Sequence, residues 1–128
     1  MRLLLDTHAF LWWYAGNRRM SMPARRAVDD ESNEVLVSAA TAWEISTKHR
    51  LGKLPDADPI ASDIAGAIAD QDFEELPITV ADAARAGALP GPHRDPFGRM
   101  LIAQALSRDL VLISNDAAFD RYPVRRLW

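Results

Sequence analysis

The chain has 128 residues, 48% apolar and 26% charged, with no cysteine and a formal charge of −3. Such a length suits a single domain over residues 1–128, and the lack of cysteine excludes a disulfide framework and a thiolate metal site. No stretch approaches the ~20 apolar residues of a membrane span, and the N-terminus lacks a signal peptide's basic start and cleavage site, so a cytoplasmic protein without membrane contact is expected. The net charge hides local basic clusters at Arg18-Arg19, Arg25-Arg26, Lys48-His49-Arg50, His93-Arg94 and Arg125-Arg126. Each reads either as a solvated face or as a phosphate contact.

Arg2-Leu3-Leu4-Leu5 shows no alternation, which marks a strand covered on both faces, as inside a parallel sheet. It stops at Asp6-Thr7. An aspartate there lies at a strand's carboxyl end, where open α/β sheets bind ligands, although it also suits a helix cap. His8 to Tyr14 then predicts a short helix closed by Gly16-Asn17, with Phe10, Trp13 and Tyr14 packed inward and Trp12 partly exposed toward a partner. A second helix opens at Ser21-Met22-Pro23 and runs to about Ser32-Asn33.

Glu34 to Val37 is the second strand, followed by Ser38. Thr41 and Glu44 have the spacing of a capping box at the head of a helix reaching Leu51, with Gly52 beyond it. An ion pair between Glu44 and Lys48, four residues on, is a second bland account of that acid. Its chemical account is that the first turn after a buried strand lies on the sheet's carboxyl edge. Asp58-Pro59 predicts a helix start, with helical spacing from Ile60 to Asp70. Phe73 to Pro77 suits an edge strand, and Thr79 with Asp82 opens an alanine-rich helix to Leu89.

Pro90-Gly91-Pro92 breaks that helix, and His93-Arg94-Asp95-Pro96-Phe97-Gly98-Arg99 leads into a deeply buried last helix. Asp95 as N-cap and Pro96 behind it form a complete structural account of that aspartate. Gly98 has no local reason: glycine in a first turn costs ~0.5–1 kcal/mol relative to alanine. Leu110 to Ile113 repeats the opening pattern, a buried strand and then Ser114-Asn115-Asp116. Ala117 to Phe119 predicts one helical turn, and Val124 to Trp128 a final edge strand.

Alternating strands and helices with short loops predict an α/β sandwich with right-handed crossovers. Asp6, Glu44 and Asp116 then leave the same sheet edge. Carboxylates ~5 Å apart repel by roughly 3 kcal/mol at an effective dielectric of about 20, so such a cluster wants raised pKa values or a bound cation. All-oxygen donors favour Mg²⁺ or Mn²⁺ over zinc, and a hard cation with water positions left open suits phosphodiester hydrolysis. No P-loop, dinucleotide fingerprint or nucleophile elbow is present. A receiver-like phospho-acceptor domain also gathers acids at strand ends, but it needs paired acids near the first strand and a lysine after the last, and neither is evident.

Leu3 to Trp12, Ser38 to Lys48, His93 to Phe97 with Arg99 to Ala105, and Ser114 to Asp116 together resemble PIN-domain ribonucleases, more narrowly the VapC toxins of toxin–antitoxin pairs. The likeness spans essentially the whole chain. It implies a three-layer sandwich with a central, mainly parallel sheet of four to five strands flanked by helices. It also implies a Mg²⁺- or Mn²⁺-dependent endoribonuclease acting on structured, tRNA-like RNA, homodimerisation within a larger complex, inhibition by a VapB-like antitoxin, and operator DNA binding through that antitoxin alone.

By this resemblance Asp6, Glu44 and Asp116 correspond to metal-binding acids, and Asp95 is a nearby acid of the subgroup. The family places a further aspartate immediately before the arginine of the last long helix, and Gly98 stands there. Losing that ligand predicts weak metal binding and reduced cleavage. Gly98 is then either a detoxifying substitution in an enzyme or the mark of a nuclease-inactive module kept for antitoxin binding. Thr7, His93, Arg94, Arg99 and Trp12 are the expected substrate or partner contacts, and His8 the expected packed or surface histidine.

Overall fold

The computed structural model describes Met1–Trp128. Its centre is a five-stranded, wholly parallel sheet in the order β3-β2-β1-β4-β5, built from β1 (Arg2–Leu5), β2 (Glu34–Ser38), β3 (Glu74–Leu76), β4 (Val111–Ile113) and β5 (Arg125–Leu127). β1 lies in the middle, with Leu3, Leu4 and Leu5 opposite Val35, Leu36 and Val37 on one side and Val111, Leu112 and Ile113 on the other. The unbroken apolar runs are explained by cover on both faces. Leu3, Leu5, Val35, Val37, Val111 and Ile113 enter one core, while Leu4, Leu36 and Leu112 enter a second.

Helices α1 (Thr7–Ala15), α2 (Met22–Asp29) and α4 (Ile64–Asp70) close the first core, to which α3 (Ala39–Arg50) contributes Ile45. Helix α6 (Pro96–Arg108) closes the second with Leu101, Ile102 and Ala105, and α5 (Val80–Ala88) packs on α6. No helix is long and apolar enough to cross a membrane. The sandwich and the edge placement of β3 and β5 agree with the sequence expectation.

Four local details differ. Helix α2 ends at Asp29, short of Ser32-Asn33, because Asp30 turns extended and its carboxylate accepts from the Ser32 N–H at 2.9 Å. Helix α3 begins at Ala39 under a Ser38 cap, whose hydroxyl accepts from the Ala40 N–H at 3.0 Å, so Thr41 and Glu44 form no capping box. Helix α4 begins at Ile64 under Asp63 rather than at Asp58-Pro59, and Pro55–Ala57 makes only a short helical turn. Trp12 is 7% exposed, while Trp13 and Tyr14 are only partly buried. The reason lies beyond α1 itself: Trp128 and Arg19 close over the Trp12 ring, at 5.8 Å between ring centroids and 6.0 Å to the guanidinium.

Candidate active site

Because the chain moves outward from β1 to β2 and β3 and then returns to β4, the carboxyl ends of β1 and β4 flank the sheet's switch point. The Asp6 N–H donates to the Ile113 carbonyl at 3.1 Å, joining the two strand ends. A crevice at such a point is where open α/β sheets bind ligands. Here it is a polar cleft of about 440 Å³ lined by Asp6, Thr7, Glu44, Asp95, Gly98 and Asp116, together with His8, Lys48 and Asn115.

Asp6, Asp95 and Asp116 each answer the cap-or-chemistry question in both senses. Their Oδ1 atoms accept from the Ala9, Phe97 and Ala118 N–H groups at 2.8, 3.0 and 2.9 Å, as N-caps do. None of the three forms an ion pair, and each faces the cleft. Asp6 is 8% exposed, and burial pushes its carboxyl pKa up. The Ser114 hydroxyl, the Ala9 N–H and the charge of His8 oppose that rise, while Glu44 adds to it. A buried acid without a cation partner is poised to take one.

Glu44 differs. The Thr7 hydroxyl donates to its Oε1 at 2.6 Å, and the Lys48 ammonium pairs with Oε2. The predicted ion pair is present, and both carboxylate oxygens are engaged. As the side chains stand, no three acids or histidines are close enough to hold one ion. The donors therefore suit a hard divalent cation in kind, while Gly98 and the Lys48 pairing leave the set short in number.

The remaining sequence candidates separate. Trp12 belongs to the first core, with its Nε1 buried and unpartnered, so the expected substrate or partner contact gives way to a packing role. Arg99 turns away from the cleft and donates to the carbonyls of Ala86, Gly87, Leu89 and His93, closing the end of α5 onto the loop that follows. That clamp commits the guanidinium to the backbone, so the expectation of a free RNA or partner contact gives way to a structural role. Arg94 is exposed on that loop. His93 lies on the same loop, ahead of α6 and outside the lining of the cleft, and its ring stacks on Phe119 at 5.5 Å and 29°. Sequence reasoning gave Lys48 no place in the cleft; the helical spacing from Glu44 was the available signal.

The PIN domain family profile matches residues 3–125. The chain belongs to the PIN-domain family of VapC ribonucleases. Ribonuclease VapC22 of Mycobacterium tuberculosis is 30% identical over 115 residues, covering 89% of this chain and 86% of the relative. Among solved structures, VapBC2 from Rickettsia felis bound to a DNA fragment from its promoter matches with a TM-score of 0.69 at 13% identity, covering 99% of this chain and 98% of that one. FitAcB from Neisseria gonorrhoeae matches with a TM-score of 0.64 at 19% identity, covering 98% and 96%. The structural likeness carries the fold, and the family profile with the VapC22 relative carries the family.

Proposed function

We propose that this VapC-family protein is a metal-dependent endoribonuclease toxin whose cleavage of structured, tRNA-like RNA is weakened by Gly98. The observation that carries the reading is the convergence of Asp6, Glu44, Asp95 and Asp116 on one cleft at the switch point, with Asp6 buried and without a cation. Asp6, Asp116 and, once released by Lys48, Glu44 would hold a Mg²⁺ or Mn²⁺ ion, which would supply activation of water and neutralisation of charge on the phosphate. The chain's own part is to hold the phosphodiester and the water. Lys48 brings an ammonium to the cleft for the phosphate, Thr7 fixes the Glu44 carboxylate, and the second oxygen of Asp6 accepts a hydrogen bond from the attacking water.

The VapBC2 neighbour, a complex on promoter DNA, supports a VapB-like antitoxin as partner; contact with operator DNA through that antitoxin and homodimerisation belong to the same proposal. A second reading, a nuclease-inactive module that only holds the antitoxin, is favoured by Gly98 and by Lys48 occupying Glu44. Gly98→Asp separates the two. On the enzyme reading it raises cleavage of a tRNA substrate in Mg²⁺ by at least about 10-fold, the scale on which shell residues tune metal sites, and Asp6→Asn in that background removes it. An unchanged, Asp6-independent rate decides for the binding module.

A further inference from the structure

Beside the cleft lies a second depression, an apolar groove of about 210 Å³ lined by Ala40 and Trp43 of α3, Ala83 and Ala86 of α5, and Phe97 and Met100 of α6. Two of these helices line the cleft as well. Along α3 the neighbours Trp43 and Glu44 point about 100° apart, the indole to the groove and the carboxylate to the cleft. Along α6, Phe97 and Met100 line the groove while Gly98 and Leu101 line the cleft. The two helices therefore share a ridge with the groove on one side and the acids on the other.

Trp43 is 58% exposed, the only Trp, Tyr or Phe left open to that degree. The Phe97 ring stands nearly perpendicular to it, at 4.9 Å between centroids and 79°, so the indole is held in place. Lys48, on the cleft side, brings its ammonium to 5.9 Å from the Phe97 ring centroid. Charge separates the two depressions. Asp6, Glu44, Asp95 and Asp116 line the cleft, whereas no carboxylate lines the groove, and its one charged residue, Arg99, is committed to backbone carbonyls. An open aromatic face, a nearby cation and no opposing acid suit an unpaired base and its phosphate.

We propose that Trp43, braced by Phe97, is a base-stacking residue that receives one unpaired base of the RNA in this groove, while Lys48 meets the phosphate on the cleft side of the ridge. The inference rests on the RNA-cleaving reading of the cleft and adds a substrate preference to it. The RNA must be single-stranded, or splayed open, beside the scissile bond. Every base has a π-face, so the groove selects an unpaired nucleotide and not a particular base.

The test is affinity, measured by fluorescence anisotropy with a labelled RNA stem-loop in Ca²⁺ in place of Mg²⁺. Each loop nucleotide in turn is replaced by an abasic sugar. With the parent protein, one position is expected to lose about 10-fold in affinity. Trp43→Ala loses about 10-fold on the intact RNA and nothing further at that position, while Trp43→Phe restores most of the affinity. Both variants are first checked for an unchanged melting profile. Affinity unchanged in Trp43→Ala, or a loss equal at every abasic position, overturns the proposal. So does a Trp43→Ala protein that sediments as a monomer where the parent is a dimer and shows no position-specific loss, since the groove is then a contact between copies. Cleavage by Gly98→Asp judges the cleft separately. If cleavage is restored with no base coupled to Trp43, the cleft reading stands and the stacking subsite falls; if neither protein binds or cleaves the RNA, both fall.

Discussion

Two buried aspartates in this molecule have opposite fates. Asp82, at the third position of α5, is 4% exposed and accepts a two-pronged pair from Arg108 at 2.9 and 3.0 Å. It also accepts from the Thr79 N–H reciprocally with the cap and from Gln104, whose own oxygen accepts from Ser38 at 2.6 Å. The guanidinium holds the Asp82 carboxyl far below the usual carboxylate range. Asp6 is buried to a similar degree and has no guanidinium or ammonium, so burial raises its pKa instead. The same side chain serves stability where its charge is answered from within the chain. Where the charge is left unanswered at a cleft, stability is given up.

The largest expected effect breaks the satisfied side of this pair. Arg108→Ala leaves the Asp82 carboxylate buried without its cation and costs about 3 kcal/mol, read as a lowered urea midpoint at unchanged slope. Because the folded pKa of Asp82 is depressed, its stabilisation is complete above the unfolded-state pKa and is lost as pH falls toward the folded one. The parent should therefore lose its advantage over Arg108→Ala below about pH 4, and a difference constant from pH 7 to pH 3 contradicts the assignment.

Asp6→Asn tests the other side, and the sign reverses. With the folded pKa raised, ionised Asp6 opposes folding at neutral pH, and the penalty fades as pH drops through the unfolded value. Asparagine keeps the cap to Ala9 without the charge, so the melting temperature rises at pH 7 and the gain disappears below about pH 4. A fall in melting temperature at pH 7 removes the claim that burial dominates this carboxyl.

The smallest effect sharpens the comparison at Glu44, which stands between the two cases. Lys48 is 36% exposed and the Glu44 side chain 9%, so Lys48→Met costs about 1 kcal/mol, less than Arg108→Ala because the Thr7 hydroxyl still holds one carboxylate oxygen. Freed of the ammonium, Glu44 becomes available to a cation, and Mn²⁺ affinity measured by calorimetry rises several-fold. Weaker Mn²⁺ binding in Lys48→Met shows that the lysine supports the site rather than competing for it.

Much of the site could be read from spacing alone. Leu3 to Leu5 before Asp6, and Val111 to Ile113 before Ser114 to Asp116, announce acids at the ends of buried parallel strands, and parallel strands place those ends along one edge. Glu44 follows from the same rule one helical turn later. Caps were less legible, because Ser38 and Thr41, or Asp58 and Asp63, are chemically equal claimants to a helix start. Packing chooses between them: Ala40, Thr41, Glu44 and Ile45 all had to face inward.

The chain's order of apolar runs and polar stops thus determined the parallel sheet, its two covered faces and the placing of Asp6, Glu44 and Asp116 along one edge, because those follow from local periodicity and short connections. Only the tertiary structure decided that Trp12 is enclosed by Trp128, that Arg99 is bound to the backbone after α5, and that the His93 ring stacks on Phe119. Each of those depends on which distant segment arrives to occupy a neighbouring volume, and a linear pattern carries no record of that.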